Sequence, residues 1–264
     1  MSGYFADYHT HSRISPDAGT SMREMAEAAG KAGLNEICFT DHMEPSLWGT
    51  YDLKPLRTEF EEARKACGGI VLKLGIELGE APRDFAIAER MLREAPDLDF
   101  VIGSIHSLSK AYGYESLYFM RETGADACRR EIADYLTLVL ALAKWGKFSV
   151  LGHLTLPLRY LKENLGVSMT FDGFEEPVAE IFRALIQNGC GIELNTNRGH
   201  EPLPGEKWLR LYRDLGGEII TLGSDAHTTR CVGCAIREGQ ELLKACGYPA
   251  FCTFEKRRPV FHPL

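Results

Sequence analysis

Positive charge is in the minority in this chain. Lys and Arg total 30 against 37 Asp and Glu, for a formal net charge of −7 at pH 7. With a pI of about 5.7, no basic stripe is available to coat a nucleic acid, so nucleic acid is not expected as a partner. Long apolar runs are also missing. The longest, Tyr135 to Ala143, is far shorter than the roughly 20 residues that cross a bilayer, so no membrane span is expected. No basic segment leading into an apolar stretch marks the N-terminus, and no secretory signal is expected. Paired cysteines are scarce. The 8 cysteines are spread singly except for Cys231-Val-Gly-Cys234. A structural zinc site needs a second pair at matching spacing, and none is present. Free thiols in apolar contexts such as Ile37-Cys38-Phe39 suit a reducing compartment, and the expected location is the cytoplasm. No low-complexity linker interrupts the chain, which is expected to form one domain over residues 1–264.

What is present is ordinary in amount and regular in pattern. At 264 residues and 45% hydrophobic, the chain can bury a sizeable core without staples. Apolar runs at 4–9, 36–40, 70–76, 98–105, 148–152, 191–194 and 218–222 read as strands. Helical periodicity fills 22–31, 56–67, 84–94 (ending at Pro96), 125–145, 174–188, 206–215 and 232–246. Ser21 and Glu24 are spaced as a capping box at the start of the first helix. The segment 107–123 reads as an insertion, the basic, Leu-rich stretch after His153 as a loop, and 250–254 as a last strand-like segment. Strict strand–helix alternation implies a parallel sheet with helices outside. An open doubly wound sheet is the rival of a closed barrel. It is disfavoured because no glycine-rich phosphate loop follows the first strand. The expected fold is therefore α/β, a distorted TIM-like (β/α)7 barrel.

The polar residues stand at the strand ends. His9 and His11, two apart on a strand, share one face and offer two imidazoles together. Later strands end in Asp41-His42, Glu77, His106, His153, and Asp225 with His227, and Asp17 lies in the first loop. Six of the 8 histidines fall in this set. In a TIM-like barrel the C-terminal strand ends converge on one mouth. Carboxylates buried unpaired beside imidazoles would be costly without a cation. More than four ligands implies more than one metal, and Glu77 is the natural bridge. Such a centre suits hydrolytic phosphoryl transfer. Phosphate also calls for a cationic clamp. Arg159 and Arg198, on mouth-side segments, are the candidates, with Arg13 and Arg230 as weaker ones. Glu115, Tyr112, Tyr114 and His200 are further loop residues that could meet a substrate.

In combination, His9-x-His11, Asp41-His42, Glu77, Gly103-Ser104-Ile105-His106, Gly152-His153 and Ser224-Asp225-Ala226-His227 resemble the polymerase-and-histidinol-phosphatase (PHP) family. The resemblance covers almost the whole chain. It implies a distorted seven-stranded (β/α) barrel with a trinuclear site. One divalent ion would take His9, His11, Glu77 and Asp225; the second would take Glu77, His106 and His153; the third would take Asp17, His42 and His227. Asp17 is a carboxylate where some family members carry histidine. Asp41 would orient an imidazole from behind. Within the family the chain is most similar to the monofunctional histidinol-phosphate phosphatases of histidine biosynthesis. The implied reaction is attack on a small phosphate monoester by a metal-bridging hydroxide, with Glu77, Asp225 and His227 catalytic and Asp225 or His227 handling the leaving-group proton. Zinc, manganese and iron suit such ligands alike. The alternatives are a PHP phosphoesterase for a nucleotide or sugar phosphate, or an amidohydrolase-like metal hydrolase.

Overall fold

A computed structural model describes residues 3–47, 53–95, 97–120 and 124–264. The expected helix stop at Pro96 and the end of the insertion, 121–123, lie outside the described residues. The chain runs β1 (Ala6–Thr10), α1 (Met22–Lys31), β2 (Glu36–Met43), α2 (Leu53–Ala66), β3 (Val71–Gly79), α3 (Phe85–Glu94) and β4 (Phe100–Ser104). It continues with α4 (Ala125–Trp145), β5 (Val150–Leu151), α5 (Leu156–Leu165), α6 (Glu175–Gln187), β6 (Gly191–Asn195), α7 (Glu206–Asp214) and β7 (Ile220–Gly223). Last come α8 (Ile236–Ala245), β8 (Ala250–Glu255) and β9 (Arg258–Pro263).

β1 to β7 form one 7-stranded sheet in sequence order, with every pairing parallel. The sheet curls until its edges meet at the C-terminal end. There Thr10 bridges Ala226, and the Asp225 N–H donates to the His9 carbonyl at 2.9 Å. The expected barrel is therefore found, nearly closed, with the helices around it. α1 starts as read: the Ser21–Glu24 capping box is in place, and Met22, Met25, Ala26 and Ala29 are buried.

The register of β1 slips. Asp7 lies opposite Ile37, but Thr10 lies opposite Phe39, so one extra residue is accommodated as a bulge. Strict alternation would send Tyr8 and His9 to opposite faces. With the bulge, both point inward: Tyr8 meets Phe100 edge-on across the barrel, and His9 meets His153. Asp7 turns outward and accepts hydrogen bonds from Ser224 and Gly233.

Other differences from the sequence reading are local. The basic, Leu-rich stretch after His153 is not a loop but the helix α5, with Pro157 in its first turn and Leu156 and Leu161 buried. α8 begins at Ile236, later than the expected 232, because a run of turns follows His227. The terminal segment is the first arm of an antiparallel hairpin, β8–β9. That hairpin plugs the N-terminal end of the barrel. Phe254 packs on Phe100, and its N–H donates to the Tyr8 hydroxyl at 2.8 Å.

Candidate metal centre

Glu77, on β3, is the hub. Its carboxylate is 1% exposed and its two oxygens face different imidazoles. Oε1 lies 2.9 Å from His153 Nε2 and 3.0 Å from His106 Nε2. Oε2 lies 2.9 Å from His42 Nδ1, 3.4 Å from His9 Nε2 and 3.6 Å from His11 Nε2. Asp225 Oδ1 lies 3.5 Å from His11 Nε2, 3.7 Å from His9 Nε2 and 3.6 Å from His227 Nδ1. Asp17 Oδ2 lies 3.1 Å from His227 Nε2 and 3.4 Å from His42 Nε2. All nine residues expected to bind metal, from six strand ends and the first loop, thus meet in one mouth.

The geometry is that of a cage for cations. His106 Nε2 and His153 Nε2 face each other at 3.4 Å. His9 Nε2, His11 Nε2, His42 Nδ1 and Glu77 Oε2 are buried with no hydrogen-bond partner. Buried polar atoms are rarely left so, and each costs about 1–3 kcal/mol if nothing meets it. Four overlapping donor triplets lie close enough to share an ion: His9–His11–Asp225, His9–Glu77–His153, His42–Glu77–His106 and His11–His42–His227. Nitrogens and carboxylate oxygens in such sets fit a transition metal.

The charges are coupled to match. Burial disfavours the ionised carboxylate of Glu77, yet His106, His42 and His9 outweigh it and hold its pKa well below the usual range. Burial likewise disfavours the His9 imidazolium, but Glu193, Glu77 and Asp225 raise its pKa well above the ordinary value. His42 is raised in the same way, by Glu77 and Asp17 against burial. His11 goes the other way. Burial and the neighbouring His42 press its pKa down to about 3, so its ring is neutral and available as a ligand.

A second layer fixes the rings. Glu193, on β6, accepts from His9 Nδ1 at 2.7 Å and from the His153 N–H at 2.9 Å. Gly223 is required beside it, since a Cβ there would collide with Glu193 and His9. Among the described residues Asp41 makes no direct hydrogen bond to an imidazole and reaches one through a serine instead. Its carboxylate accepts from Ser12 and Ser15, and Ser15 Oγ in turn meets His11 Nδ1 at 3.1 Å. The His106 N–H donates to Glu80 at 2.6 Å. Sequence reasoning named neither Glu193 nor Glu80 as part of the site. The available signal was an acid inside an apolar strand, Gly191-Ile-Glu-Leu, a position too costly to keep unless paired.

A cavity of about 500 Å³ opens over the cage. Arg159 and Arg198 both line it, as do Tyr118 and Tyr160, which the sequence had not singled out. Arg159 Nη1 donates to Asp225 Oδ2 at 3.0 Å. Asp225 (φ 59°) and Arg198 (φ 55°) hold left-handed backbone, the kind of strain that clusters at functional sites. Arg13 is engaged elsewhere, by Glu59 at 3.0 Å. Tyr114 lies under Arg83, and His200 faces a neighbouring cavity of about 740 Å³. Arg230, Glu115 and Tyr112 are not among the lining residues either.

A family model described as PHP domain matches residues 7–197. The histidinol-phosphatase of Lactococcus lactis subsp. lactis (strain IL1403) is 29% identical over 262 residues, covering 94% of this chain and 93% of that protein. A probable histidinol-phosphatase of Deinococcus radiodurans is 30% identical over 255 residues, covering 81% of this chain and 95% of its own. The crystal structure of the histidinol phosphate phosphatase from Lactococcus lactis subsp. lactis Il1403, complexed with zinc, L-histidinol and phosphate, matches with a TM-score of 0.84 at 26% identity. That match covers 98% of this chain and 100% of the other.

Proposed function

This chain belongs to the PHP domain family, and from that premise we propose that it is a metal-dependent phosphatase hydrolysing L-histidinol phosphate to L-histidinol and phosphate. The observation that carries the reading is Glu77, with one oxygen aimed at His106 and His153 and the other at His9, His11 and His42. We assign the first ion to His9, His11, Glu77 and Asp225, the second to Glu77, His106 and His153, and the third to Asp17, His42 and His227. Zinc is the ion assigned, because the similar crystal structure holds zinc. Bound divalent ions supply Lewis acidity and make water a nucleophile at neutral pH.

The chain's own residues do the rest. Glu193 holds His9 through Nδ1, so that Nε2 points into the cage. Arg159 uses one N–H on Asp225 and one on Glu163. Its guanidinium has five donors, so others remain for a phosphate oxygen. Arg198, lining the same cavity, is the second clamp. The proton for the leaving oxygen is assigned to Asp225 and His227, which are linked by His227 Nδ1 and the Asp225 carbonyl at 3.0 Å. All of this is the work of one domain spanning 1–264. No helix of the described residues is long and apolar enough to cross a membrane. With its cysteines free, the enzyme is assigned to the reducing cytoplasm.

Elemental analysis beside a phosphate-release assay tests this. The expected result is three divalent ions per chain and preferential release from histidinol phosphate over nucleotides and sugar phosphates. Equal or better turnover of a nucleotide would overturn the substrate. Metal retained with no release from any ester would point to an amidohydrolase-like activity instead.

A further inference from the structure

The motif Cys231-Val-Gly-Cys234 takes no part in the donor cage. Of the remaining cysteines, Cys38, Cys128, Cys190, Cys246 and Cys252 are buried. Cys67 is partly exposed, with its thiol against the Arg23 carbonyl. Cys231 and Cys234 differ from these in being both partly exposed and adjacent. The Cys234 N–H donates to the Cys231 carbonyl at 3.1 Å, closing a four-residue turn. Such a turn brings its end Cα atoms within about 7 Å. A disulfide spans roughly 4.4–6.8 Å, so the backbone already stands near the needed separation.

The two thiols are not equivalent. The Thr228 hydroxyl donates to Cys231 Sγ at 3.7 Å, so that sulfur accepts a hydrogen bond and, among the described residues, its own proton is held by no carbonyl. Cys234 Sγ donates to the Arg230 carbonyl at 3.5 Å, and burial, with Cys231 beside it, pushes its pKa up. Cys231 is thus the attacking sulfur and Cys234 the resolving one.

We propose that Cys231 and Cys234 form a reversible dithiol–disulfide site that reacts with low-molecular-weight disulfides. Cys231 loses its proton and attacks one sulfur of the disulfide RSSR. A mixed disulfide forms and RS⁻ leaves. Cys234 then loses its proton and attacks the Cys231 sulfur, expelling the second RS⁻. The two thiolates take up the two protons. The protein dithiol is oxidised by two electrons and RSSR is reduced to two RSH.

The turn is tied to the mouth. The Gly233 N–H donates to Asp7 Oδ2 at 2.8 Å, and Asp7 also holds the N–H and hydroxyl of Ser224, next to Asp225. The Thr196 hydroxyl donates to the Cys234 carbonyl at 2.6 Å. Ring closure draws the Cys231 sulfur toward Cys234 and away from the hydroxyl of Thr228, which directly follows His227. Resting on the phosphatase reading, this consequence is a loss of activity of roughly tenfold, the lower end for disturbing a ligand's support.

The test treats the protein as purified with oxidised glutathione, alkylates what remains free and maps the peptides by mass spectrometry. Expected is the loss of two hydrogen atoms from the peptide holding residues 231 and 234, with no glutathione retained and full reversal by dithiothreitol. Phosphate release should fall and recover in step, and Cys231→Ser should keep basal activity without the response. An unmodified pair, a persistent glutathione adduct or a disulfide elsewhere overturns the site. A closed ring with undiminished phosphate release overturns its coupling to His227. A closed ring in a protein inactive even when reduced supports the site and counts against the phosphatase reading.

Discussion

The two ends of the barrel solve opposite problems with the same strands. At the N-terminal end, among the described residues, the polar groups Glu36, Tyr8 and Asp99 are buried or half-buried and each is met. Glu36 accepts from Tyr4 and Tyr8, the Tyr8 hydroxyl accepts from the Phe254 N–H, and Asp99 accepts from Leu74 and Lys256. At the C-terminal end, among the described residues, His9, His11, His42 and Glu77 each leave a buried ring nitrogen or oxygen without a partner. One strand serves both ends. The bulge in β1 puts Tyr8 on the floor and His9 in the mouth. The floor is built for stability. The mouth forgoes stability wherever a cation is to sit.

The largest effect that would break this division lies at the hub. Glu77→Gln keeps the shape but removes the charge shared by five imidazoles. Metal content should fall, and phosphate release should drop by roughly 10³-fold, the scale of several kcal/mol of lost metal catalysis. The far-ultraviolet circular dichroism spectrum should stay as it is. Glu193→Gln, one layer back, should cost about 10–100-fold in metal affinity. Wild-type metal content in Glu77→Gln would mean that the unpartnered atoms are not a cation cage at all.

A smaller effect is expected from the floor, and of a different kind. Tyr8→Phe strips the partner from the Phe254 N–H and one donor from Glu36. An orphaned buried group costs about 1–3 kcal/mol, which should lower the melting temperature by several degrees and leave kcat and metal content alone. Lost activity at an unchanged melting temperature would show that floor and mouth are not separable.

Much of the mouth was legible in the sequence because strand ends and histidines coincide in a pattern of period and position. The capping box of α1, the strand–helix alternation and the nine convergent residues all follow from short-range signals. What was not legible depended on distance. The contact of Asp41 with Ser12 and Ser15, rather than with a ring, needs the first loop folded back over β2. The helix α5 was hidden because Pro157 and the basic residues around Leu158 read as loop chemistry, whereas Pro is at home in a first helical turn. The bulge in β1 leaves no mark in Asp7-Tyr8-His9, and the partner of Glu193 lies 184 residues away. The floor was the least legible part, because its hairpin comes last in the chain and packs against residues that come first.

The smallest effect sharpens the comparison through pH. His262, on β9, stacks on Tyr4 at 4.1 Å between ring centroids, and its Nε2 meets Thr253 Oγ1 at 2.8 Å. Burial lowers its pKa below the ordinary 6.5, with Glu36 opposing weakly. Below that ordinary value the unfolded chain takes the proton first, so the stability His262 contributes is present above it and is lost as pH falls through the lowered folded value. The raised imidazoles of the mouth, His9 and His42, contribute with the opposite sign when metal is absent. The difference in melting temperature between wild type and His262→Phe cancels that shared contribution. The difference should be flat above neutral pH and should shift against wild type as the solution is acidified. A difference that shifts in favour of wild type on acidification would place His262 with the mouth's charged imidazoles rather than with the neutral packing of the floor.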